Sequence, residues 1–104
     1  MRKYYHATTE ENFKSIMFED EKIRTSIEGM VYVCEDPKDC LKFSILRNFN
    51  NQTLYTIGIN VPDNIEVIET FDHNYNFFKC RCFGINSEVP IDWIDMKDIF
   101  MYNI

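Results

Sequence analysis

Tyr4-Tyr5-His6-Ala7-Thr8-Thr9, at the start of the chain, and Met30-Val31-Tyr32-Val33-Cys34-Glu35-Asp36-Pro37, one helix later, decide how the fold is read. Each is a short strand pattern that runs straight into residues suited to cap a helix. Each also puts one ring with polar atoms, His6 or Tyr32, close to that junction. Binding residues concentrate where rigid elements hand over to connections, so the two rings are the first candidates for a site. The rest of the chain has no nucleotide loop, no Ser/His/Asp pattern and no metal motif of recognised spacing.

The first junction opens a helix. Phe13, Ile16 and Met17 fall at i, i+3 and i+4 and share one face. Thr8 with Glu11 has the form of a capping box, and Glu10 and Glu11 suit the positive end of the helix dipole. The pattern predicts a helix from about Thr9 to Phe18. At the second junction Asp36 is the expected N-cap, with Pro37 at the first helical position and Asp39 in the first turn. Cys40, Leu41, Phe43, Ile45 and Leu46 give this helix a broader apolar side, which predicts deeper packing up to about Arg47.

Beyond it the period changes to two. Leu54, Thr56, Gly58 and Asn60 alternate with Tyr55, Ile57, Ile59 and Val61, the pattern of a strand with one face on a core. Pro62-Asp63-Asn64 reads as a turn, and Ile65 to Thr70 as a second strand antiparallel to the first. Asp72 to Asn76, with His73, is turn-like and exposed, and Phe77 to Phe83 is a strand candidate ended by Gly84. Val89-Pro90 leads into a short turn carrying Ile91, Trp93 and Ile94, with Trp93 anchoring it on the sheet. A closing strand runs from Asp98 to Tyr102 or beyond. Strand, helix, strand, helix and then several strands make one α+β domain over residues 1–104, with two short helices on a mostly antiparallel sheet.

A chain of 104 residues holds one core but not two, and 45% hydrophobic with 15% aromatic residues lies outside the disordered range. No apolar run is long enough to span a membrane and no signal peptide is read before Lys3, so the expectation is a soluble, intracellular, cytoplasmic protein. Seventeen acidic against eleven basic side chains leave a net charge of −6, which disfavours direct binding of duplex nucleic acid. A basic protein surface is the more natural macromolecular partner. The acids are dispersed over Glu10-Glu11, Glu19-Asp20-Glu21, Glu35-Asp36, Glu66, Glu69 and Asp92-Asp95-Asp98. They read either as a solvated surface or as a mimic of nucleic-acid phosphates.

Cys34, Cys40, Cys80 and Cys82 have three readings, free thiols, a zinc site and, ranked last because no secretory signal is read, a disulfide. Cys80-x-Cys82 on a strand points both sulfurs to one face, where zinc would need Cys34, Cys40 or a histidine to complete its shell. Two Cys-x-x-Cys knuckles are absent, so free buried thiols are the preferred reading over zinc.

Tyr5-His6-Ala7-Thr8-Thr9 with the helix from Glu10, and Val31-Tyr32-Val33-Cys34-Glu35-Asp36-Pro37 with its helix, resemble the amino-terminal half of small ADP-ribosyltransferase-like domains. That group includes the RNA 2′-phosphotransferase branch and the diphtheria-toxin or poly-ADP-ribose polymerase class. The resemblance covers about Tyr4 to Leu46, with an echo in Glu88-Val89-Pro90-Ile91-Asp92-Trp93-Ile94. It implies a split β-sheet and NAD as the bound nucleotide. On it, the imidazole matching His6 bonds a ribose hydroxyl and the nicotinamide amide, and the phenol ring matching Tyr32 stacks on the nicotinamide. Thr8 would belong to the same nucleotide site. The family's third residue, a glutamate that steadies the developing oxocarbenium charge, has no match before Val89-Pro90. Lys79, Cys80, Arg81 and Cys82 stand there, and Glu88 is an irregular substitute. Arg24 and Arg81 are the arginines placed to serve the phosphotransferase branch.

Two functions follow from these residues. One is a nucleotide-binding domain that performs ADP-ribosyl transfer or NAD glycohydrolysis, or is a reduced, catalytically silent version. The other is a non-enzymatic acidic inhibitor of the viral anti-defence, anti-CRISPR-like type, acting in a host cytoplasm by covering a basic nucleic-acid-binding surface. Each site residue also has a purely structural reading. His6 can be satisfied by backbone groups, Tyr32 can be a cross-strand aromatic, and Arg81 can answer an acidic neighbour.

Overall fold

A computed structural model describes residues 1–47, 53–70 and 81–103. The expected order is observed, with two short strands added. β1 (Arg2–Thr9) leads into α1 (Glu10–Ser15), which widens into a π-helical turn (Ile16–Asp20) before β2 (Lys22–Ile23). β3 (Val31–Val33) leads into α2 (Pro37–Arg47), and β4 (Thr53–Val61) and β5 (Val67–Thr70) follow. The chain closes with β6 (Cys82–Ile85), β7 (Val89–Pro90), a 3-10 turn (Ile91–Trp93) and β8 (Ile94–Asn103). Described pairings are all antiparallel and form three sheets, β1-β4-β8, β2-β7 and β3-β6-β5. None of the described helices is long and apolar enough to cross a membrane.

The caps follow local chemistry. Asp36 Oδ1 accepts the Lys38 backbone N–H at 2.7 Å, as Asp36-Pro37 predicts. The first helix is capped one residue later than the Thr8-Glu11 spacing suggests. Thr9 Oγ1 accepts from Asn12 N at 3.3 Å, because β1 stays paired to β4 through Thr8 and Thr9. α1 buries no residue fully and packs Phe13 on Tyr55, whereas α2 buries Cys40 and Ser44 against the first sheet.

Three further expectations are corrected. The alternation in β4 predicts one buried face, but β4 is the central strand of its sheet. Leu54, Thr56 and Gly58 are buried on one face, and Ile57, Ile59 and Val61 on the other. β5 does not return along β4, since β1 and β8 already occupy both edges of β4. The Pro62–Ile65 turn, closed by Ile65 N to Pro62 O at 3.1 Å, instead passes the chain to β6. Gly84 lies inside β6 rather than ending it, because the Met30 thioether lies where its side chain would be, 2.5 Å from a Cβ at that position. Residues 71–80, including the expected turn at His73, most of the Phe77–Phe83 strand and Cys80, fall outside the described residues.

The main core lies between the first sheet and the other two. Tyr4, Ile57, Ile59 and Val61 meet Ile23, Val31, Val33, Phe83, Ile85 and Val89, with Trp93 packed at the margin as expected. A smaller cluster, Cys34, Cys40 and Cys82 with Tyr5, Ala7, Tyr32 and Phe43, fills the space beneath α2. On the first sheet β4 and β8 fall out of step, with Ile57 opposite Ile99 but Ile59 opposite Ile94, so β8 bulges over Asp95–Asp98. The bulge lays Asp98 over Gly58. There its Oδ2 accepts from Tyr5 Oη at 2.7 Å and from Lys3 Nζ at 3.2 Å, while Lys3 also reaches Asp95 at 2.8 Å. A Cβ on Gly58 would lie 2.8–2.9 Å from the Asp98 side chain, including its own Cβ.

Gly58→Ala is therefore expected to cost about 1–3 kcal/mol through overpacking. In an Asp98→Ala background the same substitution should cost clearly less, because the clash is gone. Equal costs in the two backgrounds, measured by urea unfolding, would show that Asp98 does not constrain this position.

Candidate functional site

β1 and β3 meet at one point and then separate. Tyr5 and Cys34 exchange backbone hydrogen bonds of 2.8 and 2.9 Å, an isolated antiparallel bridge that ties the first sheet to the β3-β6-β5 sheet. One residue further along β1, the His6 ring takes the place of the next rung. Its Nδ1 lies 2.8 Å from the Tyr32 carbonyl oxygen. A carbonyl can only accept, so Nδ1 carries the proton and Nε2 of the neutral ring is an acceptor.

The opening between the diverging strands is a pocket of about 270 Å³. β1 contributes His6, Ala7, Thr8 and Thr9, β3 and its end contribute Val31 to Cys34, and α2 contributes Cys40, Phe43 and Ser44. Asn12, Arg24, Ser26, Met30 and Cys82 complete the lining. Four of the six residues singled out from the sequence, His6, Thr8, Arg24 and Tyr32, thus share one cavity. Arg24 is largely exposed and pairs with Asp20 at 2.8 Å, which leaves its guanidinium at the rim.

The other two are elsewhere. Glu88 is exposed just before β7 and pairs with Lys22 across the β2-β7 ribbon at 3.2 Å. Arg81 is exposed, bonded to Glu69 at 3.0 and 3.1 Å, near Glu35, and 5.0 Å above the Phe83 ring. Neither lines the pocket. Among the described lining residues no carboxylate is present.

Burial sets the protonation states. Desolvation lowers the His6 pKa, only partly opposed by the Tyr32 carbonyl, so the ring is neutral near pH 7. Burial, then the neighbouring Cys82, Asp39 and Asp36, push the Cys40 thiol well above its ordinary 9.0, so it stays protonated. Cys34, Cys40 and Cys82 are buried on the pocket wall. Among the described residues no group of three or more His, Cys, Asp or Glu side chains is placed to hold a metal ion.

Sequence reasoning overlooked the wall from α2, although the signal was there. Cys40, Phe43 and Ser44 stand at i, i+3 and i+4 and present one face to the pocket. Ser26 and Met30 come from the connection between β2 and β3, where no periodicity marks them. No protein-family model matches the chain, and no curated protein and no solved structure shows significant similarity to it.

The half-buried imidazole has a consequence for stability. Its pKa in the folded chain lies below the ordinary 6.5, so as pH falls the unfolded chain takes up the proton first. This contribution is complete above pH 6.5 and is lost progressively below it. His6→Asn, whose amide can donate to the Tyr32 carbonyl without titrating, should flatten the curve below pH 6.5 relative to the parent chain. Urea unfolding at several pH values checks this, and parallel curves would contradict it.

Proposed function

We propose that the chain is a small nucleotide-binding domain of ADP-ribosyltransferase-like build that holds the nicotinamide-ribose end of NAD, or a similarly sized piece of a related nucleotide. The observation that carries the reading is the convergence of His6 and Tyr32 on one cavity in the opening between β1 and β3. Nε2 of His6 is an acceptor for a ribose hydroxyl. Tyr32 and Phe43 give the cavity aromatic surface, and Thr8, Thr9, Asn12, Ser26 and Ser44 give it hydroxyl and amide groups. Arg24 at the rim suits a phosphate.

Size narrows the ligand. Small-molecule pockets run from about 300 to 1,000 Å³, and a cavity of about 270 Å³ accommodates one nucleoside-sized half of a dinucleotide, with the remainder outside. The lining also argues for binding without transfer. Cleavage of the glycosidic bond develops positive charge on the sugar, which a carboxylate would stabilise and a guanidinium would not. The described lining offers Arg24 and no carboxylate.

The alternative, an acidic cover for a basic protein, draws less support from the same structure. Asp20 and Asp95, two members of its acidic groups, are engaged within the chain by Arg24 and Lys3. Calorimetric titration with NAD, nicotinamide mononucleotide and ADP-ribose tests the reading. His6→Ala and Tyr32→Ala should each weaken binding about tenfold or more, since a lost stack or hydrogen bond contributes about 1–3 kcal/mol. No nicotinamide should be released over hours. Absence of binding to all three nucleotides by the parent chain would overturn the proposal.

A further inference from the structure

β8 is the longest of the described strands and lies at the edge of its sheet. β4 occupies one side, and among the described residues no strand pairs with the other. Edge strands of this length are usually blunted by charge, proline or a bulge. The first half of β8 has such protection in Asp95, Lys97, Asp98 and the bulge that contains them. The second half, Ile99–Asn103, has none. It pairs regularly with Thr53–Ile57 and carries no charged residue in a chain of net charge −6. It is also apolar on both faces, with Phe100 49% and Met101 58% exposed.

The order of residues makes this edge complementary to itself. In an antiparallel pairing about a two-fold axis at Met101, Met101 faces its copy and Phe100 faces Tyr102 of the other chain, twice. Phe100 and Tyr102 point to one face, because they stand opposite Thr56 and Leu54 on β4. The two outer rungs then each hold an aromatic pair, among the most favourable cross-strand contacts. No like charges come opposite one another along Ile99–Asn103. Since the molecule as a whole repels a second copy, this uncharged edge is where electrostatics allows one to approach.

We infer that the occupant of this edge is a second copy of the chain, joined β8 to β8 in that register. The result is a symmetric dimer with a continuous six-stranded sheet, β1-β4-β8-β8-β4-β1, of isologous type. Strand pairing with a few exposed side chains covers a small area, so the dimer forms weakly and depends on concentration. The inference is independent of the pocket, which opens on the other edge of the sheet beside β1.

Sedimentation equilibrium of the full chain, from roughly 10 μM to 1 mM, is expected to show the 12.5 kDa monomer giving way to a species of twice that mass. Met101→Lys puts two ammonium groups opposite one another and should weaken association about tenfold or more. Phe100→Lys and Tyr102→Glu should each weaken it alone. The double variant should restore it, because on both outer rungs the introduced ammonium of one chain then meets the introduced carboxylate of the other. Circular dichroism and the unfolding midpoint verify that the variants fold. A parent chain that stays monomeric throughout overturns the inference. So does a dimer that Met101→Lys leaves intact, or one that the double variant fails to rescue, because either result places the contact on another surface or in another register.

Discussion

β1 has to serve two sheets at once. All eight of its residues pair with β4, and its free edge must also close against β3, which belongs to a sheet packed across the core rather than beside it. Only Tyr5 and Cys34 meet with ladder geometry, and beyond them the strands diverge. Divergence leaves backbone carbonyls without a rung, and an unpaired buried carbonyl costs about 1–3 kcal/mol. The His6 imidazole relieves this at Tyr32 while its bulk holds the strands apart. The hydrogen bond that satisfies the separation therefore lies where the pocket opens.

The bridge would be of little use if β1 could shift, and the opposite edge of its sheet prevents that. Asp98 crosses β4 at the only residue in that strand without a side chain and fastens to Tyr5 and Lys3 on β1. Tyr5 thus makes two attachments. Its backbone forms the bridge to Cys34, and its hydroxyl is held by the carboxylate, which also raises the phenol pKa and keeps that donor proton in place. A glycine within β4 looks like a weakness in a strand read by propensity alone. Here its absent side chain lets a three-strand polar clamp form across a packed sheet.

Much of this order could be read from local signals, and the failures have a common cause. Asp36-Pro37 sets the start of α2 because cap chemistry acts over two residues, and the alternation of Leu54–Val61 sets β4 because period two needs only neighbours. The partner of β5 could not be read, since it depends on both edges of β4 being taken by strands from the two ends of the chain. At the site, His6 and Tyr32 were legible as rings at two junctions of the same form. That they face one cavity depends on where the strands part, which a non-local bridge decides. Glu88 and Arg81 were placed by chain position relative to Val89-Pro90. In three dimensions each is drawn away by the nearest opposite charge, Lys22 for one and Glu69 for the other.

Protonation states connect the architecture to the chemistry proposed for it. The neutral His6 has its only proton committed to the Tyr32 carbonyl, so it has none to give to a leaving group and serves a ligand as an acceptor. Cys40 keeps its proton, which makes this thiol of the lining a poor nucleophile. Arg24 brings positive charge to a place where transfer of a sugar would generate more. Each of these features permits recognition of a nucleotide fragment, and none lowers the barrier to breaking it. On the proposed reading affinity and turnover are separable, while the His6–Tyr32 hydrogen bond has a structural task of its own, satisfying the carbonyl where the two sheets part.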